Sequence, residues 1–493
     1  MGISQLKSKP PILASRPGPD AARLVIGFAS TSRDPFLPSF LSIASAFLGV
    51  RFVNSETASN GSPIVVYGEA VSEANCFAIP RSSGFTRQSI PVLKLPLDSL
   101  SMYAREFPFD LIKAIEFWIT DQAHLHPLEE DLDRHRRIRP ERTLAHQLRV
   151  TERPMVNAYL LAFKHWLEAK LGFHLPGHLP SGRKCMVMLS HDVDTPVNPS
   201  EVGHDLWRIG WCAMNGHWAT IPRELIRVAR KLKHRRTSRH EKHWLFDEIA
   251  AAEARHGFSS SYFFSAIASP TSRHGYDVAY DIRSPRFKRL FRTLQSLGFE
   301  VGLHGSYRSS EAEASFRSEM HLLRHCSDRK VFGNRQHCWK MLDDKWKTLG
   351  FMANAGLAYD SSIAFNDIPG FRLGIAFPFY PYCPATQKAI PIMELPVMLM
   401  DGAYFYHAEP GVDEVVRNFR KLLEQLKHHG GVGAIDWHVT TAFPGSQRYR
   451  KWGEAYLAIL EALASDPEVA VMNCAMAYEY YRTIYDQTGG FAT

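Results

Sequence analysis

The sequence predicts an α/β fold built on a mainly parallel sheet, either a barrel or a doubly wound sheet. Two observations predict it. Across the second half, short apolar runs alternate with amphipathic helical patterns in units of about 30–40 residues, the rhythm of strand–helix–strand crossovers. Polar residues able to bind metals or move protons also recur where those apolar runs stop, and parallel α/β folds gather their chemistry at the C-terminal ends of strands.

Residues 1–20 are rich in Pro and Ser and read as a loose tail. From Arg23 the text turns α/β: LVIGFAS, a helical FLSIASAFLGV, then the strand-like IVVYGEA. Helical patterns return at 109–125 and at 154–173, where Pro154 opens a clear 3.6-residue apolar period. Between them PLEEDLDRHRRIRPERT (127–143) is charged and poor in apolar residues, which predicts an exposed connection.

In the second half MVMLS (186–190) reads as a strand, 245–257 as a helix stopped by Gly, and SSYFFSA as the next strand. A helix over 284–298 precedes the strand FEVGLH (299–304), and DKWKTLG (344–350) is a short helix. IPIMELPVMLMD (390–401) reads as a strand kinked at Pro396. The helix 412–431, the strand GVGAIDWH and a last strand EVAVMN complete the series.

The 493 residues suffice for a large core; 45% are hydrophobic and 22% charged, ordinary for a globular protein. No apolar run is long enough for a transmembrane helix, and the N-terminus lacks the apolar stretch of a signal peptide. The expected location is therefore the cytoplasm. Seven scattered cysteines without a CxxC pair argue against a disulfide framework or a zinc ribbon. The net charge of +8 is concentrated: between Arg223 and Lys242 nine basic residues face two acidic ones. With Trp207, Trp211 and Trp218 just upstream, residues 207–242 are either a solvated helix face or a contact for an anionic partner such as a membrane surface. No nucleic-acid motif accompanies the charge, so no nucleic-acid partner is expected.

The strand ends carry the chemistry. MVMLS runs into His191, Asp192 and Asp194; FEVGL into His304; GNRQH supplies Arg335 and His337; GVGAID leads to His438. A single strand-end His is more often structural. Four such positions in one alternating region fit a divalent metal held by imidazole and carboxylate, with groups left over for acid–base work. Asp192 and Asp194 can then lie close without ruinous repulsion, one as ligand and the other as proton acceptor.

These residues resemble the polysaccharide deacetylases of the NodB-homology, carbohydrate esterase type, in a variant reading HDVD, GLHGSY, RQH, YDSS, FRxG and WH along the chain. The resemblance covers roughly residues 180–485 and implies an irregular (β/α) barrel of fewer than eight units. It divides the chain into the tail 1–20, an N-terminal accessory α/β domain over 21–178 and a barrel domain over 179–493. It implies a metal-dependent hydrolase that removes N-acetyl or other acyl groups from a sugar in a polysaccharide, lipid-linked or nucleotide-linked glycan. The implied cofactor is a divalent ion of the Zn²⁺ type.

Carried over by motif, Asp192 is the catalytic base and Asp194 a metal ligand, although the inserted Val193 leaves an exchange of roles open. His304 is the second ligand. Arg308 stands where the family has a further His, so His337 is the candidate third ligand. Arg335 orients the base, and His438 protonates the leaving amine. Arg372, Asp360 and Asp401 are candidate substrate-pocket residues; alternatively Arg372 pairs with a structural carboxylate, Asp360 positions a neighbouring polar group or caps a turn, and Asp401 holds His438 or pairs with a surface Lys or Arg. Three rival readings stay open: a small-molecule C–N hydrolase on the same fold, a degenerate relative that binds a glycan or scaffolds its assembly, and a membrane-associated deacetylase of lipid-linked sugars, which the basic Trp-flanked segment favours.

Overall fold

The computed structural model describes residues 24–30, 33–57, 63–68, 76–93, 107–196, parts of 209–229, 243–267, 277, 280–327, 333–445 and 448–489. The expected tail and most of the basic segment 207–242 lie outside these residues.

The N-terminal region opens with a four-stranded parallel sheet of β1 (Val25–Ser30), β2 (Arg51–Asn54), β3 (Ile64–Tyr67) and β4 (Cys76–Ile79), in the order β2-β1-β3-β4. The helix Leu37–Leu48 crosses between β1 and β2. It ends at Gly49 with φ 70°, where a Cβ would sit 2.4 Å from the carbonyl oxygen of Gly177. Glycine is required there both for the left-handed turn and for the approach of the two chain segments.

The main sheet consists of β5 (Cys185–Val193), β6 (Ser261–Phe264), β7 (Glu300–Gly305), β8 (Gly333–Gln336), β9 (Tyr359–Asp360), β12 (Met393–Glu394), β13 (Val397–Met400), β14 (Val432–Asp436) and β15 (Val469–Met472). A small antiparallel pair, β10 (Tyr382–Cys383) and β11 (Lys388–Ala389), stands apart. The path is β12-β9-β8-β7-β6-β5-β14-β13, every pairing is parallel, and β15 adds to the first half of β5. Its two ends are consecutive stretches of chain. Leu395 N–H donates to Asp360 O of β9, while Ala434 N–H of β14 donates to Pro396 O. The kink expected at Pro396 thus joins the two edges of the sheet and curls it into an irregular barrel, as the fold class anticipated. Proline suits the bend because it has no N–H to leave unpaired.

The helices Phe246–Arg255, Pro285–Ser296, Val412–His428 and Arg450–Ala464 agree in place with the periodicity of the sequence. One boundary differs with consequence. β5 continues to Val193, so His191 and Asp192 lie on the strand rather than beyond it.

The core is continuous from Ile26 of the N-terminal sheet to Tyr485 of the last helix. The helix Met155–Leu171 is buried over ten of its residues. Its Asn157 is completely buried and exchanges hydrogen bonds with Ala376 N and O, at 2.8 and 3.0 Å. The segment 127–143, expected to be an exposed connection, instead docks on the barrel. Arg136 makes two bonds to Asp343, at 2.8 and 2.7 Å, and Arg137 donates to Cys338 O and Asn366 Oδ1, both at 2.8 Å. Its low apolar content reflects ion pairing across an interface, which looks like solvation when only sequence is read. No helix among the described residues is long and apolar enough to cross a membrane.

Candidate metal centre and acid–base site

Side chains alternate across a strand, so positions two apart share a face. On β5 this sorts the HDVD stretch. Asp192 and Asp194 turn to one face and His191 to the other. His191 is fully buried between Trp437 O at 2.6 Å and Glu253 Oε1 at 2.7 Å and belongs to the barrel's supporting layer. The same rule applies to Arg335 and His337 after β8, and to Asp436 and His438 after β14. Adjacent parallel strands bring these pairs together at their C-terminal ends.

Asp194, His304 and His337 form one cluster, with ligand-capable atoms all within 4.8 Å of one another. His304 Nε2 lies 3.2 Å and His337 Nε2 3.8 Å from Asp194 Oδ1. His304 Nδ1 sits 2.9 Å from Arg335 O. That carbonyl can only accept, so it fixes a proton on Nδ1 and turns Nε2 towards Asp194. Burial disfavours charge on the ring, but Asp192 and Asp194 raise its pKa, so an ion bound at Nε2 would displace a proton. Asp194 Oδ1 and His304 Nε2 are buried with no hydrogen-bond partner. Burial would raise the pKa of Asp194, but the surrounding imidazoles of His337, His304 and His438 outweigh it and hold the carboxyl well below its usual range. Burial, aided by His304, lowers the pKa of His337 and favours the neutral imidazole a ligand must be. Two imidazoles and one carboxylate, with His304 Nε2 and Asp194 Oδ1 buried and unpartnered, suit a zinc-type divalent ion with an open position for substrate. Arg308 is exposed and takes no part.

Asp192 faces a different environment. The buried guanidinium of Arg335 reaches its Oδ1 at 3.5 Å and Asp436 Oδ1 at 3.2 Å. Arg335 also donates to Ser190 Oγ at 3.0 Å and Ser361 Oγ at 3.1 Å, and lies against the rings of Phe263 and Trp339 at 4.8 and 5.1 Å. Asp436 was not anticipated, although its i,i+2 relation to His438 at a strand end repeats the HDVD pattern. Burial, and then the Asp192 charge, pushes its pKa up to about 7. Asp192, Asp436 and His438 also lie within ligand distance of one another, but Arg335 already supplies the positive charge there.

His438 Nδ1 is held by Asp401 Oδ1 at 3.0 Å, and its Nε2 points to Asp194 Oδ2 at 3.6 Å. Burial disfavours its charge, yet Asp401 and the other carboxylates raise its pKa well above the usual value. Asp401 is fully buried, also accepts from His438 N and Thr441 Oγ1, and so serves His438 rather than a substrate.

For Arg372 and Asp360 the geometry matches the structural alternative. Arg372 forms a two-pronged pair with Asp121 at 3.2 and 3.0 Å and does not line the cavity that holds Asp192, Asp194, His337 and His438. Asp360 is completely buried and accepts from Asn334 Nδ2 at 2.9 Å and Ser362 Oγ at 2.7 Å, tying β8 to the loop after β9.

Directly after His337, Cys338 and Trp339 have φ of 56° and 52°. Left-handed backbone costs roughly 1–2 kcal/mol at each non-glycine residue, and strain of this kind marks functional sites. The cluster opens into a cavity of about 720 Å³, within the range of ligand pockets. Asp192, Asp194, His337 and His438 lie on its floor, Trp339 and Tyr406 among its walls.

No protein-family model and no curated protein matches the sequence. Among solved structures, the chain is similar to a Mycobacterium smegmatis protein assigned as a polysaccharide deacetylase, with 14% identity, 64% of this chain and 95% of that one covered, and a TM-score of 0.40. It is similar to a Pseudomonas aeruginosa PAO1 protein of the same assignment, with 13% identity, 62% and 93% covered, and a TM-score of 0.39. It is similar also to Puue allantoinase, with 12% identity, 64% and 94% covered, and a TM-score of 0.38. Likeness at this level carries no argument about chemistry, and the reading of the site rests on its own geometry.

Proposed function

We propose that the chain is a divalent-metal-dependent hydrolase that removes an N-acetyl or related acyl group from a sugar. The carrying observation is the Asp194–His304–His337 cluster flanked by two differently held groups, Asp192 on Arg335 and His438 on Asp401. A divalent cation there would supply a Lewis acid for the acyl oxygen and ease deprotonation of an attacking water.

Every other part belongs to the chain. Asp192, with Arg335 fixing its orientation, accepts the proton of the water that attacks the acyl carbon. Its environment supports the base role, and that of Asp194 the ligand role. His438 stays protonated through Asp401 and gives its Nε2 proton to the departing amine, which an amide leaving group requires. Trp339 and Tyr406 offer apolar faces on which a sugar ring can lie.

The test is elemental analysis of the purified full chain beside assays on N-acetylated sugars. The reading expects about one metal per chain, lost in His304→Ala and His337→Ala, and acetate release that follows metal content. A wild type that takes up no metal even on reconstitution would overturn it.

A further inference from the structure

We infer that the sugar carries an anionic group, a phosphate or a carboxylate, and that Arg134 and Arg139 of the N-terminal region receive it. This rests on the deacylase reading of the cavity floor and names its substrate class.

The same cavity that has Asp192, Asp194, His337 and His438 on its floor is lined by Arg134, Arg137 and Arg139. Arg134 and Arg137 sit on one tight turn, closed by an antiparallel bridge between Leu132 and Ile138, and Arg139 follows directly after it. The Asp133 side chain accepts from His135 N at 2.8 Å and Arg137 N at 3.0 Å, and Arg136 takes a left-handed φ of 61°. Arg136 and Arg137 then pin the turn to the barrel through Asp343, Cys338 and Asn366.

The three cavity arginines are not equivalent. Arg137 is neutralised by Asp133 at 2.6 Å. Arg134 uses Nε on His135 Nε2, and Arg139 uses Nε on Leu132 O, both at 3.0 Å. Among the described residues, the terminal nitrogens of Arg134 and Arg139 have no hydrogen-bond partner and no carboxylate within 4 Å. That includes Glu141 and Asp367 on the same cavity wall. Both arginine side chains are exposed at the cavity, each guanidinium tethered at one nitrogen with its terminal nitrogens open to solvent and unneutralised. A fixed fork matches the paired oxygens of a phosphate or carboxylate. A neutral glycan can use the faces of Trp339 and Tyr406, but its hydroxyls gain less from two cations than an anionic group does.

The zinc-reconstituted full chain would be assayed on N-acetylglucosamine, N-acetylglucosamine 1-phosphate, UDP-N-acetylglucosamine and an N-acetylated disaccharide containing a uronate. The readout is the ratio of kcat/KM for anionic over neutral substrate. A charge-assisted fork is commonly worth about tenfold or more in affinity, so the ratio should be about 100 in wild type. It should fall towards 1 in Arg134→Ala/Arg139→Ala, chiefly through KM, with partial rescue by lysine. Preference for the phosphates over the uronate, or the reverse, identifies the anion. An unchanged ratio in the double variant, or a preference for the neutral sugar, overturns the inference.

If no sugar is turned over, the deacylase reading fails and calorimetry with inorganic pyrophosphate and with glucuronate decides the subsite alone. Binding about a hundredfold weaker in the double variant sustains it. Equal binding in both proteins, or none, overturns it.

Discussion

Asp192 and Asp194 are separated by one residue and face the same way, yet they meet opposite environments. Asp194 stands among three imidazoles, and Asp192 stands against a guanidinium. Asp192→Asn should therefore keep its metal and lose roughly 10²–10⁴-fold in kcat, the usual weight of a general base, whereas Asp194→Ala should lose the metal. Metal analysis beside steady-state kinetics separates the two. Arg372→Ala tests the structural role of that residue. Asp121 is fully buried, and burial raises its pKa, but Arg372, Lys345 and His124 together hold it low. Removing one partner of a buried pair costs several kcal/mol. With Lys345 and His124 retained, urea unfolding should show a loss of about 2–3 kcal/mol, with metal content unchanged.

At the scale of elements, the turn 132–138 supports the loop after β8. Arg137 holds the carbonyl of Cys338, the first of two left-handed residues that follow His337. Partners one step removed from a metal commonly matter by about 10–100-fold in affinity. Arg137→Ala should therefore weaken zinc binding by about tenfold or more in a chelator competition, while Arg136→Ala, bound to the exposed Asp343, should do far less. Gly333 at the start of β8 makes the related point for packing. A Cβ there would fall 1.9 Å from the Tyr359 ring, so β8 can approach β9 only with glycine in place.

For the whole molecule, one core joins the described residues before 179, from Ile26 onward, to the barrel. Residues 179–493 expressed alone should lack cooperative unfolding in calorimetry, since they would expose the apolar surface that the helix Met155–Leu171 covers. Two buried histidines oppose folding in acid. Burial, then Lys164, pushes the His178 pKa down to about 3. Burial, with Arg153 adding to it, lowers that of His429 to about 4. Both rings are neutral in the fold, and the unfolded chain binds their protons below about pH 6.5. Their stabilisation is complete above that value and is lost as pH falls toward 4 and 3. Each group contributes a slope of up to about 1.4 kcal/mol per pH unit. Burial raises Glu319 and Asp436 to about 7, which acts in the opposite sense, so the test is a comparison: between pH 7.5 and 5 the urea midpoint of His178→Gln should rise relative to that of wild type.

The sequence by itself determined the strand–helix alternation, the kink at Pro396 and the residues that gather at the strand ends. Each is a local pattern: periodicity, a missing N–H, a polar residue closing an apolar run. Asp194, His304, His337, Asp192, Arg335 and His438 were legible for that reason, and Asp436 would have been had the two-residue strand period been applied to GVGAIDWH. Only the tertiary structure decided the rest. Arg372 and Asp360 carry chemistry that fits a pocket, but their partners, Asp121 and Asn334, are distant in sequence or hidden from it, and local pattern cannot tell a satisfied charge from a waiting one. The segment 127–143 shows the converse. Its charges resembled solvation, and docking turned them into a wall of the cavity, because ion pairs across an interface leave no apolar signature in the chain that makes them.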